Sequence, residues 1–306
     1  MNETLVAQLG ARRTHRRLPA GRILAWAALA VMLAITLTPL WIVLKTALTH
    51  SDDLYTQSTQ LLPANTTLVN FKRVLGLLST DDSQAAGGSG ADINFLRALG
   101  NSMLFTSIIV LTQISCSAMA AYAFARLRFP GRKLLFGLFI GSMMVPSVVT
   151  FIPNFILMKE LGWLNSMIGL VAPFCLMQGF SVFFLRQFFL SIPRDLEEAA
   201  LLDGASHLYI FVRVILPLSL TPIVTIATLT GINMWNEFFW PYLVGNDELH
   251  RVIPVALQAF KSQTPQGQPD WTGLMAATAI SIVPTIVLLL AFGRRVVESV
   301  QFSGGK

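Results

Sequence analysis

Ile192-Pro193-Arg194-Asp195-Leu196-Glu197-Glu198-Ala199-Ala200-Leu201-Leu202-Asp203-Gly204-Ala205 is a charged, helix-forming island between two strongly apolar segments. A chain that needed only to cross a bilayer would join such segments with a short basic turn. This join is acidic and amphipathic. Asp195, Glu197 and Glu198 fall at the start of the predicted helix, where the helix dipole favours anions. Pro193 suits the first helical turn, because its missing N–H is not needed there. Leu196, Ala199, Ala200 and Asp203 share one side by their i, i+3, i+4 and i+7 spacing. Ala199 and Ala200 are small enough to let another surface come close, and Gly204 permits a sharp break. A second short helix is expected over 206–214, leading through Leu216-Pro217 into the next apolar run. A helix lying on lipid headgroups prefers Lys and Arg on its polar face, and anionic lipid would repel this one. The segment reads as a docking surface for a soluble protein.

The rest of the chain is mostly membrane. Of 306 residues, 54% are hydrophobic and only 12% charged, and the mean hydropathy is +0.62. Soluble domains carry about 25% charged residues, so this chain lacks the means to cover a water-facing surface. A spanning helix needs about 20 mainly apolar residues. Six segments qualify: 23–44, 96–124, 134–157, 167–190, 218–242 and 272–292. The first apolar run is too long for a signal peptide, and no small-residue cleavage site follows it, so an uncleaved first helix is expected.

The net charge of +6 reflects orientation rather than a nucleic-acid partner, which is not expected, because the cations flank the spans. Fifteen of the 22 Lys and Arg fall at one set of span ends: Arg12, Arg13, Arg16, Arg17, Arg22, Arg126, Arg128, Arg132, Lys133, Arg186, Arg194, Arg213, Arg294, Arg295 and Lys306. The positive-inside rule puts these ends, both termini and the acidic island in the cytoplasm. The expected organisation is a cytoplasmic segment 1–22, a transmembrane domain 23–293 and a tail 294–306. Within the domain, loops 45–95 and 245–271 are external and loop 191–217 is cytoplasmic. In the first external loop, Leu68, Phe71, Leu75 and Leu78 predict a short amphipathic helix, and 81–90 reads as a mobile glycine-rich linker. These loops read equally as ordinary connections or as a landing surface for a soluble external partner.

Cys116 and Cys175 read as small apolar side chains. The four histidines lie at ends or in loops, and no metal or nucleophile constellation appears. Polar side chains inside the spans are candidates for a solute path: Gln113 in the second, Gln178 in the fourth, and Asn233, Asn236 and Glu237 in the fifth. Helix–helix bonding is the equal alternative for the last three.

The island also carries a longer pattern, Glu198-Ala199-Ala200, Gly204, Val214 and Leu216-Pro217. It resembles the signature of ABC importer permeases, Glu-Ala-Ala, three residues, Gly, nine residues, Ile, one residue, Leu-Pro, with valine in place of isoleucine. Met234-Trp235-Asn236-Glu237-Phe238-Phe239-Trp240-Pro241 and Asn101-Ser102 extend the resemblance to the carbohydrate-uptake branch, relatives of the smaller maltose-type subunit. The resemblance implies an all-α type I importer permease of the bacterial or archaeal plasma membrane, with six spans. It implies a second homologous permease, an ATPase subunit dimer and an extracytoplasmic sugar-binding protein as partners, with sugar as the solute. No Gly-x-x-x-x-Gly-Lys-Ser/Thr loop occurs in the chain, so ATP and Mg are expected on the partner ATPase, and the chain itself is expected to hold no cofactor and to catalyse nothing. By the resemblance, Glu197, Glu198, Ala199, Ala200, Asp203, Gly204, Leu216 and Pro217 couple to the ATPase. Glu198 then makes the main contact, and Gly204 sets the angle between the two short helices.

A permease for another solute, such as glycerol phosphate, would share the island. A secondary transporter would need no ATPase, but it would show inverted repeats, and it leaves the acidic helix unexplained.

Overall fold

The computed structural model describes residues 20–56, 60, 62–63, 65–88, 93–261 and 269–302. Arg12, Arg13, Arg16, Arg17, Lys306 and the end of the expected 81–90 linker lie outside them. In chain order, α1 (Ala20–Ala47) is followed by α2 (Val69–Val74), α3 (Thr80–Ala85) and α4 (Phe95–Arg126). Next come α5 (Arg132–Ser142), α6 (Ser147–Glu160), α7 (Met167–Val171) and α8 (Gly179–Ser191), which lead to the charged helix α9 (Asp195–Leu202). α10 (His207–Ile210) and α11 (Leu216–Leu218) flank a π turn at Phe211–Ile215. Then follow α12 (Leu220–Trp235), α13 (Phe239–Val244), α14 (Ile253–Ala256) and α15 (Trp271–Phe302).

Among the described residues, three helices are long and apolar enough to cross a membrane: Gly21–Ala47, Phe95–Arg126 and Trp271–Val296. Three further pairs of apolar helices are sharply bent, and the third of them starts upstream of the expected span 218–242, so the count rises to as many as six only if each pair is one span. Arg132–Ser142 meets Ser147–Glu160 at 96°, Met167–Phe174 meets Gly179–Ser191 at 47°, and His207–Leu218 meets Leu220–Trp235 at 79°. Proline accompanies the first and third breaks. Pro146 disfavours helical backbone at Val145 and itself stands extended (ψ 133°) just before α6. Pro217 and Pro222 have no N–H to offer the carbonyls four residues earlier, Arg213 and Leu218, and the third bend falls between them. The span expected over 218–242 is shortened further. α12 holds only 16 residues, about 24 Å of helix, and is interrupted before α13.

α4 is the central strut. It packs on α8 and α12, α12 packs on α15, and α15 packs on α1 and α2. At 32 residues, α4 is about 48 Å long, so it outreaches a hydrocarbon layer of about 30 Å. Around its Arg126 end, Ala121, Tyr122, Leu185, Phe189, Ile210 and Ile215 form an apolar cluster. Toward the opposite end, Phe105, Ile109, Leu170 and Trp240 form another. Much of the outward surface is apolar, as on α1 (Leu24 72%, Trp26 65% exposed), and suits contact with lipid or a second membrane chain.

At the end opposite α9, the loop after α1 folds into a cap. The helix expected around Phe71 is present as α2. The expected mobile linker is, in its described part, helix α3 and its turn. Ser79 accepts the Asp82 N–H and donates to the Asp82 carboxylate, an N-cap that the glycines downstream obscured in the sequence. Gly87, at φ +85°, closes the helix, and the Gly88 N–H returns to the Ser83 carbonyl at 2.8 Å.

A buried ion pair holds the cap down. Arg73 donates to both carboxylate oxygens of Asp270, at 3.1 and 3.2 Å, and the two side chains are 3% and 4% exposed. Arg73 also reaches Asn70 Oδ1 (2.9 Å) and Thr272 Oγ1 (2.9 Å). Asn70 donates to the carbonyls of Ala47 and Thr49 at the end of α1, and Asp270 caps α15 by accepting the Gly273 N–H at 2.7 Å.

Candidate functional site

Two features bring predicted residues together: the α9–α10 hairpin and a cavity beside the break before α8.

The hairpin's first helix begins at Asp195, with Arg194 as its N-cap, so Pro193 stands just before the helix and not in its first turn. The Glu197 and Glu198 N–H groups both reach the Arg194 carbonyl, at 2.9 and 3.0 Å. The helix ends in a Schellman turn. The Gly204 N–H meets the Leu201 carbonyl at 3.0 Å and the Ala205 N–H meets the Ala200 carbonyl at 3.0 Å. Gly204 adopts φ +83°, and a Cβ added there would meet nothing within 4 Å. Its requirement is therefore conformational and not steric. Gly204→Ala is expected to cost about 1–2 kcal/mol locally. Hydrogen exchange at the Ala205 amide should then quicken about 5–30-fold, and unchanged exchange would contradict this account of the turn. Ser206 accepts the Tyr209 N–H and starts α10.

The two adjacent glutamates differ in burial. Glu198 is exposed, whereas Glu197 is the buried residue of α9. Leu196, Ala199 and Asp203 are exposed and Ala200 is half-buried. Leu202 (90%), Leu208 (68%) and Tyr209 (56%) add an exposed apolar tip. Leu216 packs on the apolar cluster at the end of α4 and Pro217 is exposed. This pair sits at the approach to the 79° bend, away from the tip.

The cavity measures about 250 Å³. Gln113 of α4, Gln178 before α8 and Asn233 of α12 line it together with Phe174, Met177 and Thr230, and no ionisable side chain takes part. Non-helical backbone at membrane depth is tolerated where it lines a cavity or is buried in protein. Here the Gln178 N–H donates to Ser117 Oγ on α4 at 3.2 Å, and Ser181 Oγ donates to Gln178 Oε1 at 3.1 Å. Gln113 is 7% exposed, and its Oε1 meets no hydrogen-bond donor among the described residues.

Asn236 and Glu237 do not join this group. Asn236 donates back to the Ile232 carbonyl at 2.7 Å, closing α12. Glu237 accepts the Trp240 N–H at 3.2 Å and starts α13. Phe174, Met177 and Thr230 escaped the sequence reading because apolar and hydroxyl side chains in a span carry no distinct signal. Pro173 and the polar Gln178 were the available hint that the helix breaks there.

The family model described as "Binding-protein-dependent transport system inner membrane component" matches residues 113–301. The trehalose/maltose transport system permease protein MalG of Thermococcus litoralis is 32% identical over 281 residues, covering 90% of this chain and 94% of the relative. The sn-glycerol-3-phosphate transport system permease protein UgpE of Escherichia coli is 30% identical over 271 residues, covering 87% and 92%. A chain from the crystal structure of a bacterial ABC transporter involved in the import of the acidic polysaccharide alginate has a TM-score of 0.74 at 24% identity, covering 89% of this chain and 95% of that one. At that identity the likeness shows the fold.

Proposed function

The chain belongs to the family of binding-protein-dependent transport system inner membrane components, and from that premise we propose that it is one permease subunit of an ATP-driven importer of a neutral sugar. In this reading both termini and the α9–α10 hairpin face the cytoplasm of a bacterial or archaeal cell. A second homologous permease completes the path, a sugar-binding protein delivers solute outside, and an ATPase dimer holds ATP and Mg. The observation that carries the reading is the hairpin: a short acidic helix with exposed Glu198 and an exposed apolar tip of Leu202, Leu208 and Tyr209. An apolar patch rimmed by charge is what a protein partner covers.

Gln113, Gln178 and Asn233 form the part of the solute path that this subunit supplies. Gln178 and Asn233 are exposed, and within a bilayer contact of these amides with lipid would be unfavourable. A second permease closing over them leaves a polar lumen. Amides, a hydroxyl and the Phe174 ring suit the hydroxyls and apolar faces of a neutral sugar, and no cation is present to bind a phosphate or carboxylate. That favours neutral sugar over the glycerol phosphate alternative. Asn236 and Glu237, which end one helix and start the next, hold the shape of the path's outer part.

Gln113→Leu tests the path. Replacing an unpaired buried acceptor with an apolar side chain of similar size is nearly neutral for stability, so the complex should purify normally. The half-saturating solute concentration for uptake should rise about 5–150-fold, the equivalent of about 1–3 kcal/mol for a lost polar contact. Unchanged uptake would remove Gln113 from the path.

The whole reading is tested by purifying the tagged chain from its native membrane in mild detergent and identifying its companions by mass spectrometry. A homologous permease and a phosphate-loop ATPase are expected. A lone homo-oligomer, without ATPase even after crosslinking at α9, would point to a secondary transporter.

A further inference from the structure

We propose that Arg126 is the positioning residue through which the cytoplasmic hairpin moves the membrane-spanning body. The proposal rests on the importer reading above and assigns the internal link that this reading needs. α9 contributes eight residues, and the buried one among them is not a leucine but Glu197. Its carboxylate lies 2.6 Å from the Arg126 guanidinium, with side-chain exposures of 12% and 5%. The same guanidinium donates to the Ile192 carbonyl at 2.6 Å. Arg126 is the last residue of α4, and Ile192 is the C-cap of α8. One side chain thus joins the ends of two spans to the first turn of the docking helix. One turn earlier on α4, Tyr122 packs on Phe211 of the following π turn, with ring centroids 5.1 Å apart. Both arms of the hairpin therefore attach to α4.

Burial of apolar surface alone would hold α9 without fixing its direction or register. A buried ion pair is a costly attachment that tolerates little displacement of either partner. Glu197 and Glu198 are adjacent, about 100° apart around the helix. Glu197 is fastened inward while Glu198 is left for a partner. A push on the outer face of α9 is then delivered to α4, the strut that carries Gln113 and lines the cavity.

The test uses the complete importer in proteoliposomes: both permeases, the ATPase, the binding protein and its solute. It reads the solute moved per ATP hydrolysed, together with recovery of the ATPase on the purified permeases. Glu197→Gln keeps the size of the side chain and removes its charge. It should assemble normally, yet lower the transport-to-hydrolysis ratio about tenfold, within the usual range for coupling between linked sites. Arg126→Lys keeps the charge and should stay within about threefold of the original ratio, by the same scale. The double variant Arg126→Gln with Glu197→Gln should be no worse than Glu197→Gln alone, because the two side chains act through each other. A normal ratio in Glu197→Gln, or losses in the double variant that multiply, would overturn the proposal. An unaltered chain that brings down no ATPase would instead overturn the importer reading, before any variant is compared.

Discussion

Asp270→Ala is expected to destabilise the protein by about 3–5 kcal/mol, because it leaves the Arg73 charge buried without its partner. The side chains of the pair are 3% and 4% exposed, so water does not reach the orphaned guanidinium. The substitution also removes the acceptor of the Gly273 N–H at the start of α15. The measurement is the unfolding midpoint of the detergent-solubilised protein. Arg73→Met combined with Asp270→Leu removes both charges and should be less damaging than Asp270→Ala alone, since an apolar pair avoids the uncompensated burial. A double variant no better than the single one would mean that the carboxylate acts mainly as a helix cap. The expected damage extends beyond one contact, because Arg73 and Asn70 together tie the end of α1 to α2 and α15.

The second large effect is expected at Glu198. It is exposed at the start of α9 and has no ion pair among the described residues, so its removal should leave the fold intact. In the proposed complex it accepts a charge-assisted hydrogen bond from the ATPase. Loss of one partner from such an interfacial pair costs about 2–5 kcal/mol. Glu198→Ala should therefore weaken recovery of the ATPase and reduce sugar uptake by about 30-fold or more, with an unchanged unfolding midpoint. Uptake and assembly both at the unaltered level would reject Glu198 as the docking contact. The result is also separable from that at Glu197, which should spare assembly while lowering the transport yield per ATP.

Some of this was readable directly. Periodicity is not needed to find a membrane span, only enough apolar length, so the three long helices among the described residues fall where they were expected, and the count reaches six only if each bent pair is one span. The bends were not readable, because a run of apolar residues looks the same whether its helix continues or turns through 96° at Pro146. The hairpin was readable because its motif combines local signals: acidic residues at a helix start, small residues within it, and glycine where the chain takes φ +83°. α3 was misread as a linker because Gly87 and Gly88 drew attention away from the Ser79 cap.

Local chemistry thus determined the membrane class, the three long apolar helices, the acidic hairpin and its glycine turn, since each depends on residues within a few positions of one another. Tertiary structure alone decided which of two adjacent glutamates turns inward. It also decided that Arg73 finds Asp270 across 197 positions, and that Gln113, Gln178 and Asn233 share a cavity while Asn236 and Glu237 close helices. Those outcomes depend on how bent helices pack. In a low-dielectric interior a charge or amide must meet its partner from a distant element, and only the fold states which element that is.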